Sequence, residues 1–250
     1  MLIRCDLHRV FSDHKLYISY VISLAILLRP LIEVLTEGGG HYSFLYLQSI
    51  PFGLSDYTPF AAIFCVLPFA DSFCEDYNSG YIYSILPRIG AKKYAVQRFL
   101  TTAFSGGVFM SLTVLSVLLV CYIAAEIPDT AETVVFMQNT LLYKKGLLLQ
   151  WNGIFFIAYR TLFAFLFGCL WASFGFCVST IVVNRYVTFV TPFVLYQVLW
   201  TLIENASFNP VYALRGDYAS SSLCLISYQL IQIIVCGIYS IYRIQRRMIK

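Results

Sequence analysis

Charge is scarce in this chain. Asp, Glu, Lys and Arg make up 12% of its 250 residues, about half the roughly 25% of an ordinary soluble domain. With 59% hydrophobic residues, that shortage excludes a large soluble domain and points to a polytopic membrane protein. Histidine is nearly missing too: His8, His14 and His41 are the only three, all outside the apolar runs. An intramembrane serine protease needs a base beside its serine. Ser105, before Gly106-Gly107, therefore reads as small-residue helix packing instead. No GxxxxGK[ST] motif occurs, so this chain does not hydrolyse ATP through a P-loop. The eight cysteines fall mostly within apolar runs, without disulfide or zinc spacing, and act as small packing residues. Asp76-Tyr77-Asn78-Ser79-Gly80 looks superficially like a calcium loop, but its twelfth position is Pro87, where a bidentate glutamate is required. No internal repeat of the inverted-transporter kind is visible.

What the chain does contain is apolar runs. A spanning helix takes about 20 mostly apolar residues, and six runs qualify: Leu16–Thr36, Tyr57–Phe73, Phe99–Ala125, Thr161–Val183, Tyr186–Ile203 and Ser222–Tyr242. The second is short and holds Pro68, and Asn184-Arg185 turns tightly between the fourth and fifth. Residues 1–15 are too charged for a secretory signal. Leu2, Ile3, Leu7, Val10 and Phe11 fall near one helical face, predicting an amphipathic helix lying along the membrane surface. The expected fold is all-α: one permease-like domain of six transmembrane helices with an N-terminal interface helix.

Lys and Arg placement orients it. Of seventeen, only Lys144, Lys145, Arg160 and Arg215 lie on the side away from the termini, and Arg29 lies within a span. Both termini are therefore expected in the cytoplasm, in a multi-pass plasma-membrane protein. The net charge of +4 follows the membrane in this way, so nucleic acid is not an expected partner. Membrane lipid is. Glu126–Arg160, with Trp151, predicts a helix at the outer interface. Arg29 and Glu33 stand four apart on the first span, around Pro30. They form either a polar lining for a translocation path or a pair snorkelling to the outer headgroups.

The largest inner loop, residues 74–98, runs from acidic (Glu75, Asp76) to basic (Arg88, Lys92, Lys93, Arg98). Tyr77, Tyr81, Ile82, Ile85 and Leu86 make an apolar stripe at helical spacing. Gly80 permits a sharp turn, and Pro87 and Gly90 punctuate before the next span. A short helix, a break and a basic lead-in suit docking into a groove on a partner.

The stretch FCEDYNSGYIYSILPRIGAKKYAVQRF resembles the first cytoplasmic loop of the type-2 ATP-binding-cassette (ABC) exporter permeases. Glu75 and Asp76 match that family's acidic positions, Gly80 its glycine, Arg88 the basic residue of its turn, Tyr94 its aromatic and Arg98 the basic residue opening span three. Tyr81 departs from the family's frequent threonine. The resemblance implies a bacterial permease, Gram-positive-like, that exports an amphipathic cargo such as an antimicrobial peptide, drug or lipid. It implies no enzyme site and no cofactor on this chain. ATP and Mg would be bound by two partner ATPase subunits, and a second permease chain would complete a dimer. Glu75, Asp76, Gly80, Tyr81, Ile82, Ile85 and Arg88 are the implied coupling residues. Short re-entrant outer helices are implied between spans five and six, where Pro210 and Gly216 fit a broken backbone. A polytopic membrane enzyme or maturation factor, and an ATPase-independent immunity or sensor protein, are the alternatives.

Overall fold

The structure, a computed structural model, describes residues 2–37, 40–126, 154–204, 208–215 and 222–249. The expected outer-interface helix around Trp151, and Gly216, lie outside them. The described chain is helical throughout: α1 Leu2–Ser12, α2 His14–Glu37, α3 Phe44–Leu54, α4 Tyr57–Val66, α5 Ser72–Asn78, α6 Tyr81–Ile89, α7 Ala91–Ala124, α8 Ile154–Ile181, α9 Arg185–Leu202, α10 Pro210–Arg215 and α11 Ser222–Ile249.

Four of these helices are long and apolar enough to cross a bilayer: α2, α7, α8 and the Cys224–Arg247 stretch of α11. Large apolar side chains remain exposed along them, among them Ile22 and Ile32 on α2 and Ile231, Ile234 and Ile238 on α11. An apolar exterior of this extent belongs in lipid rather than water, so the chain is a polytopic membrane protein. The second and fifth expected crossings are weaker. Tyr57–Phe73 is α4, then a turn over residues 67–71, then the start of α5. Pro68 explains the break, because its nitrogen cannot donate and its ring crowds the carbonyl one turn earlier. Helical bonding resumes with Ala70 N–H to Val66 O at 3.1 Å and Glu75 N–H to Asp71 O at 3.0 Å. The fifth crossing is α9, which matches the expected bounds within a residue but carries Thr188, Thr191, Gln197 and Thr201.

α3 lies between the first two expected spans, and its apolar side chains Leu45, Leu47, Ile50 and Phe52 are buried. α7 starts eight residues earlier than hydropathy places the third span. Its 34 residues reach about 51 Å at 1.5 Å per residue, well beyond a hydrocarbon core of about 30 Å. The first two turns, with Tyr94 and Arg98, form a stalk at one end.

α8 is the centre of the bundle, packed against α4, α7, α9 and α11. Its seam with α7 is closed by small residues. A Cβ on Gly168 would overlap the backbone of Gly106, and one on Gly106 would overlap Ala172 and come within 2.9 Å of Cys65 O. Backbones this close gain dispersion contacts over the whole seam, which is how apolar helices hold together where lipid removes the hydrophobic driving force. The main core gathers Leu27, Tyr57, Phe109, Phe163, Phe167 and Trp171, among others. A smaller cluster, Phe73, Ile82, Tyr94, Ala95, Phe99, Phe176 and Ile244, sits at one end and joins five helices. α1 and the C-terminal turns of α11 share that end: Arg9 reaches Asp76, and Arg247 donates to Thr180 O at 3.1 Å and lies over the Tyr77 ring.

Candidate functional site

α6 stands at this end, bracketed by glycines. Gly80 (φ 74°) begins it and Gly90 (φ 83°) separates it from α7. Both have positive φ; Gly80 is in the left-handed α region, which costs an L-residue about 1–2 kcal/mol, and Gly90 (ψ 144°) is in an extended positive-φ region that is essentially glycine's alone. The chain thus turns sharply on both sides of a nine-residue helix. One face is pinned to the bundle: Ile82 is 0% exposed, with Ile85 and Leu86 partly buried beside it. The opposite face carries exposed Tyr81, Ser84 and Arg88, and Tyr83 is exposed as well.

Beneath α6 lies a network of ion pairs. Asp76 on α5 accepts from Arg9 Nη1 at 2.8 Å and from the Tyr94 hydroxyl at 2.6 Å, and pairs with Arg98 Nη2 at 2.5 Å. Arg98 also pairs with Asp6 on α1, 3.0 Å from Nη1 to Oδ1. Glu75 takes Lys15 and Arg9, each at 2.8 Å, and Arg185 at 3.4 Å. Lys15 reaches Asp71 at 3.1 Å. Four acids and four bases from α1, α2, the α4–α5 turn, α5, α7 and α9 thus meet in one place, with Asp13 on the rim 3.7 Å from Lys15. The centre is dry, with the Asp76 and Arg98 side chains each 1% exposed, and the rim is half-open at Arg9 and Lys15. Such a centre is costly to break, because removing one partner leaves a buried charge uncompensated.

The carboxyls respond differently to this setting. Burial pushes Asp6 upward, and that outweighs the pull of Arg98 while Asp76 adds repulsion. Burial also pushes Glu75 upward, but the hydrogen bonds and attraction of Lys15 and Arg9 win and hold it below the usual carboxylate range.

A surface cavity of about 670 Å³ opens beside the network, bordered by Asp6, Arg9, Asp76, Gly80 and Tyr81. α1 is therefore not a free surface helix: its polar side is locked to α5 and α7 through Asp6 and Arg9.

Two of the expected coupling residues are buried. Asp76 and Ile82 face into the chain, one inside the ion network and the other in the apolar cluster, so neither is a surface contact. Glu75 is only a quarter exposed and is occupied by three bases. Gly80 acts through backbone shape, and Ile85 is half-buried. Tyr81 and Arg88 face outward. Arg29 and Glu33 do pair, at 2.9 Å, but on the outside of α2, with side chains 77% and 54% exposed.

Comparison with known protein families, with curated proteins and with solved structures finds no match.

The partners supplied by Asp6, Lys15, Asp71 and Arg185 are not among the expected site residues. Lys15 and Arg185 carried an orienting signal only, as inner-side positive charge. Asp6 and Asp71 had one faint mark: acidic residues beside apolar segments, where an unpaired carboxylate is expensive.

Proposed function

We propose that this chain is the membrane-spanning permease subunit of an ATP-driven ABC exporter, with α6 as the helix on which a separate ATPase subunit acts. The observation that carries this reading is the two-sidedness of α6. Its inner face is set, through Ile82, in an apolar cluster shared with α5, α7, α8 and α11, its ends turn on positive-φ glycines, and its outer face presents Tyr81, Ser84 and Arg88 without cover from the rest of the described chain. A helix so placed passes a push to several spanning helices at once. The ion network carries the same displacement to α1 through Arg9 and Asp6 and to α7 through Arg98.

In this reading six helices cross the membrane, with Tyr57–Phe73 (α4, the turn after it and the first residues of α5) as the second and α9 as the fifth. The network end is cytoplasmic, as the clustering of Arg9, Lys15, Arg98, Arg185 and Arg247 there favours. Two ATPase subunits close on ATP and Mg, a second permease chain completes the assembly, and an amphipathic cargo is exported. ATP binding shifts the permease only by its differential affinity for the two conformations, and that difference is delivered through the α6 contact.

The first test is the neighbouring reading frames, where this reading expects a P-loop ATPase; the second is reconstitution with that subunit. Arg88→Glu is expected to leave folding intact and to cut permease-stimulated ATP hydrolysis about tenfold, because reversing a charge at a docking rim costs on the order of 1–2 kcal/mol. A purified chain that is active alone, with no ATPase bound, supports instead a membrane enzyme or an ATPase-independent immunity protein.

A further inference from the structure

The ion network does not engage every cation at its end of the molecule. Its salt bridges take Arg9, Lys15, Arg98 and Arg185, and these occupy Asp6, Asp13, Asp71, Glu75 and Asp76. Lys92 and Lys93 in the first turn of α7, and Arg243 and Arg246 in the last turns of α11, enter no ion pair among the described residues. Lys92, Lys93 and Arg246 are exposed, and Arg243 is half-buried. Helix stability does not account for them. A cation in the first turn of a helix opposes its dipole, and Arg243 and Arg246 repel each other across one turn.

The two sets meet. A Cβ on Gly237 of α11 would come within 2.9 Å of the Phe99 ring of α7, and Ile244 of α11 shares an apolar cluster with Tyr94 and Ala95 of α7. From the first contact to the second the α11 number rises while the α7 number falls, so the helices run antiparallel. The same register, continued, brings Arg243 and Arg246 level with Lys92 and Lys93. Lys92 stands two turns before Phe99, on the side of α7 that meets α11.

These cations also cap apolar stripes that face outward. Lys93 lies two turns before exposed Leu100 on one face of α7, with exposed Phe104 beyond it. Arg246 lies one turn beyond exposed Tyr242 on α11, with exposed Tyr239 before it. Tyrosines at the end of a spanning helix mark headgroup depth. An acidic protein surface would match the charge but has no use for the stripes below it. A phospholipid matches both: its phosphate accepts from lysine and arginine, and its acyl chains lie along the stripes. Basic pockets between spanning helices hold anionic headgroups in this way.

We infer that the seam between the start of α7 and the end of α11 binds one anionic phospholipid, its phosphate between Lys92, Lys93, Arg243 and Arg246. The inference needs the chain to cross a membrane but not α6 or a motor, so it stands or falls separately from the exporter reading.

The test uses the full-length chain, stripped of lipid in detergent and titrated with phosphatidylglycerol or phosphatidylcholine, with adducts counted by native mass spectrometry. One phosphatidylglycerol per chain should be held at least about fivefold more tightly than phosphatidylcholine, the worth of a single cation at a headgroup. Lys92→Gln with Lys93→Gln should abolish that preference, and so should Arg243→Gln with Arg246→Gln. Lys92→Arg with Lys93→Arg, which keeps the charge, should retain it, as should Arg29→Gln at the opposite end of α2. Equal retention of the two lipids overturns the inference. So does a loss in only one of the two glutamine pairs, because one helix would then act alone. Displacement of the lipid by an equal concentration of glycerol phosphate would mean a free-anion site and overturns it too. Binding of an ATPase subunit that either glutamine pair abolishes, with the lipid preference unchanged, would assign the patch to a protein instead.

Discussion

Two sets of charges sit at opposite ends of this molecule, and on distance alone they look equivalent. Arg29 and Glu33 meet at 2.9 Å on α2, and Arg9 and Asp76 meet at 2.8 Å between α1 and α5. The first pair is local, one turn apart and exposed on both sides. The second belongs to a cluster drawn from six segments, with Asp76 and Arg98 sealed from solvent. Contact length therefore says little about what a pair does. The number of segments tied together and the solvent left around the charges decide it. The exposed pair adds a small increment to one helix, whereas the buried cluster fixes the relative positions of α1, α5 and α7, the elements that hold α6.

The comparison breaks most visibly at its buried centre. Asp76→Ala leaves Arg98 with only Asp6 and strips the Tyr94 hydroxyl of its acceptor. It should cost about 3–5 kcal/mol, read as a sharp drop in the thermal midpoint of the detergent-solubilised protein. A double-mutant cycle of Asp76→Asn with Arg98→Gln should show coupling well above 1 kcal/mol. Near-additive losses would mean that the two charges are independent and the cluster is not a unit.

Next comes the shape that the cluster supports. Gly80→Ala removes no charge yet forces an L-residue into the left-handed region. A loss of about 1–2 kcal/mol is expected, since the space around the site is open. The cost then measures backbone conformation and not a clash, and Gly80→Asn, which tolerates that region better, should recover part of it.

pH separates two carboxyls inside the cluster. Glu75 titrates below its ordinary range when folded, so its stabilisation is complete above its unfolded pKa and is lost as pH falls through the folded value. Asp6 titrates above its ordinary range, so its ionisation is a penalty at neutral pH that is relieved as pH falls through that raised value. Stability should rise slightly from neutral to mildly acidic pH and then collapse at lower pH. Burial raises Asp71 in the same way, so Asp6→Asn should reduce the rise and Asp6→Asn with Asp71→Asn should abolish it, while Glu75→Gln should flatten the collapse. A monotonic fall from neutral pH that Asp6→Asn does not alter would contradict the assignment.

The smallest effect belongs to the other end. Glu33→Gln should change the unfolding free energy by no more than about 0.5 kcal/mol, the usual worth of an i,i+4 pair. A large loss there would erase the contrast.

Much of this arrangement was legible in the sequence where periodicity carried it. The α1 helix follows from its apolar face, and the length and bounds of α9 follow from its hydropathy and the Asn184-Arg185 turn. The stalk of α7 was not legible as span, because Lys92, Lys93, Gln97 and Arg98 read as a polar loop although they continue the helix. α3 was hidden because Pro51 and the flanking glycines of its segment signal a turn, whereas Pro51 is accommodated inside an 11-residue helix. The face of α6 was half-legible. Spacing identified the apolar stripe but could not tell whether it faced a partner or the chain's own bundle, and the bundle takes Ile82. Pairing across distant segments leaves no periodic mark, so the union of Asp6, Asp76 and Arg98 emerges only in three dimensions.

The exposed side of α6 and the exposed pair on α2 also yield the most direct test of the functional account. A photo-reactive benzoylphenylalanine placed at Ser84, on the outward face of α6, and separately at Thr36, beside the Arg29–Glu33 pair, would be irradiated in membranes holding the chain and its neighbouring ATPase. The account predicts a covalent adduct with the ATPase from position 84 and none from position 36. An ATPase adduct from position 36, or none from position 84 while the two proteins still co-purify, would contradict it.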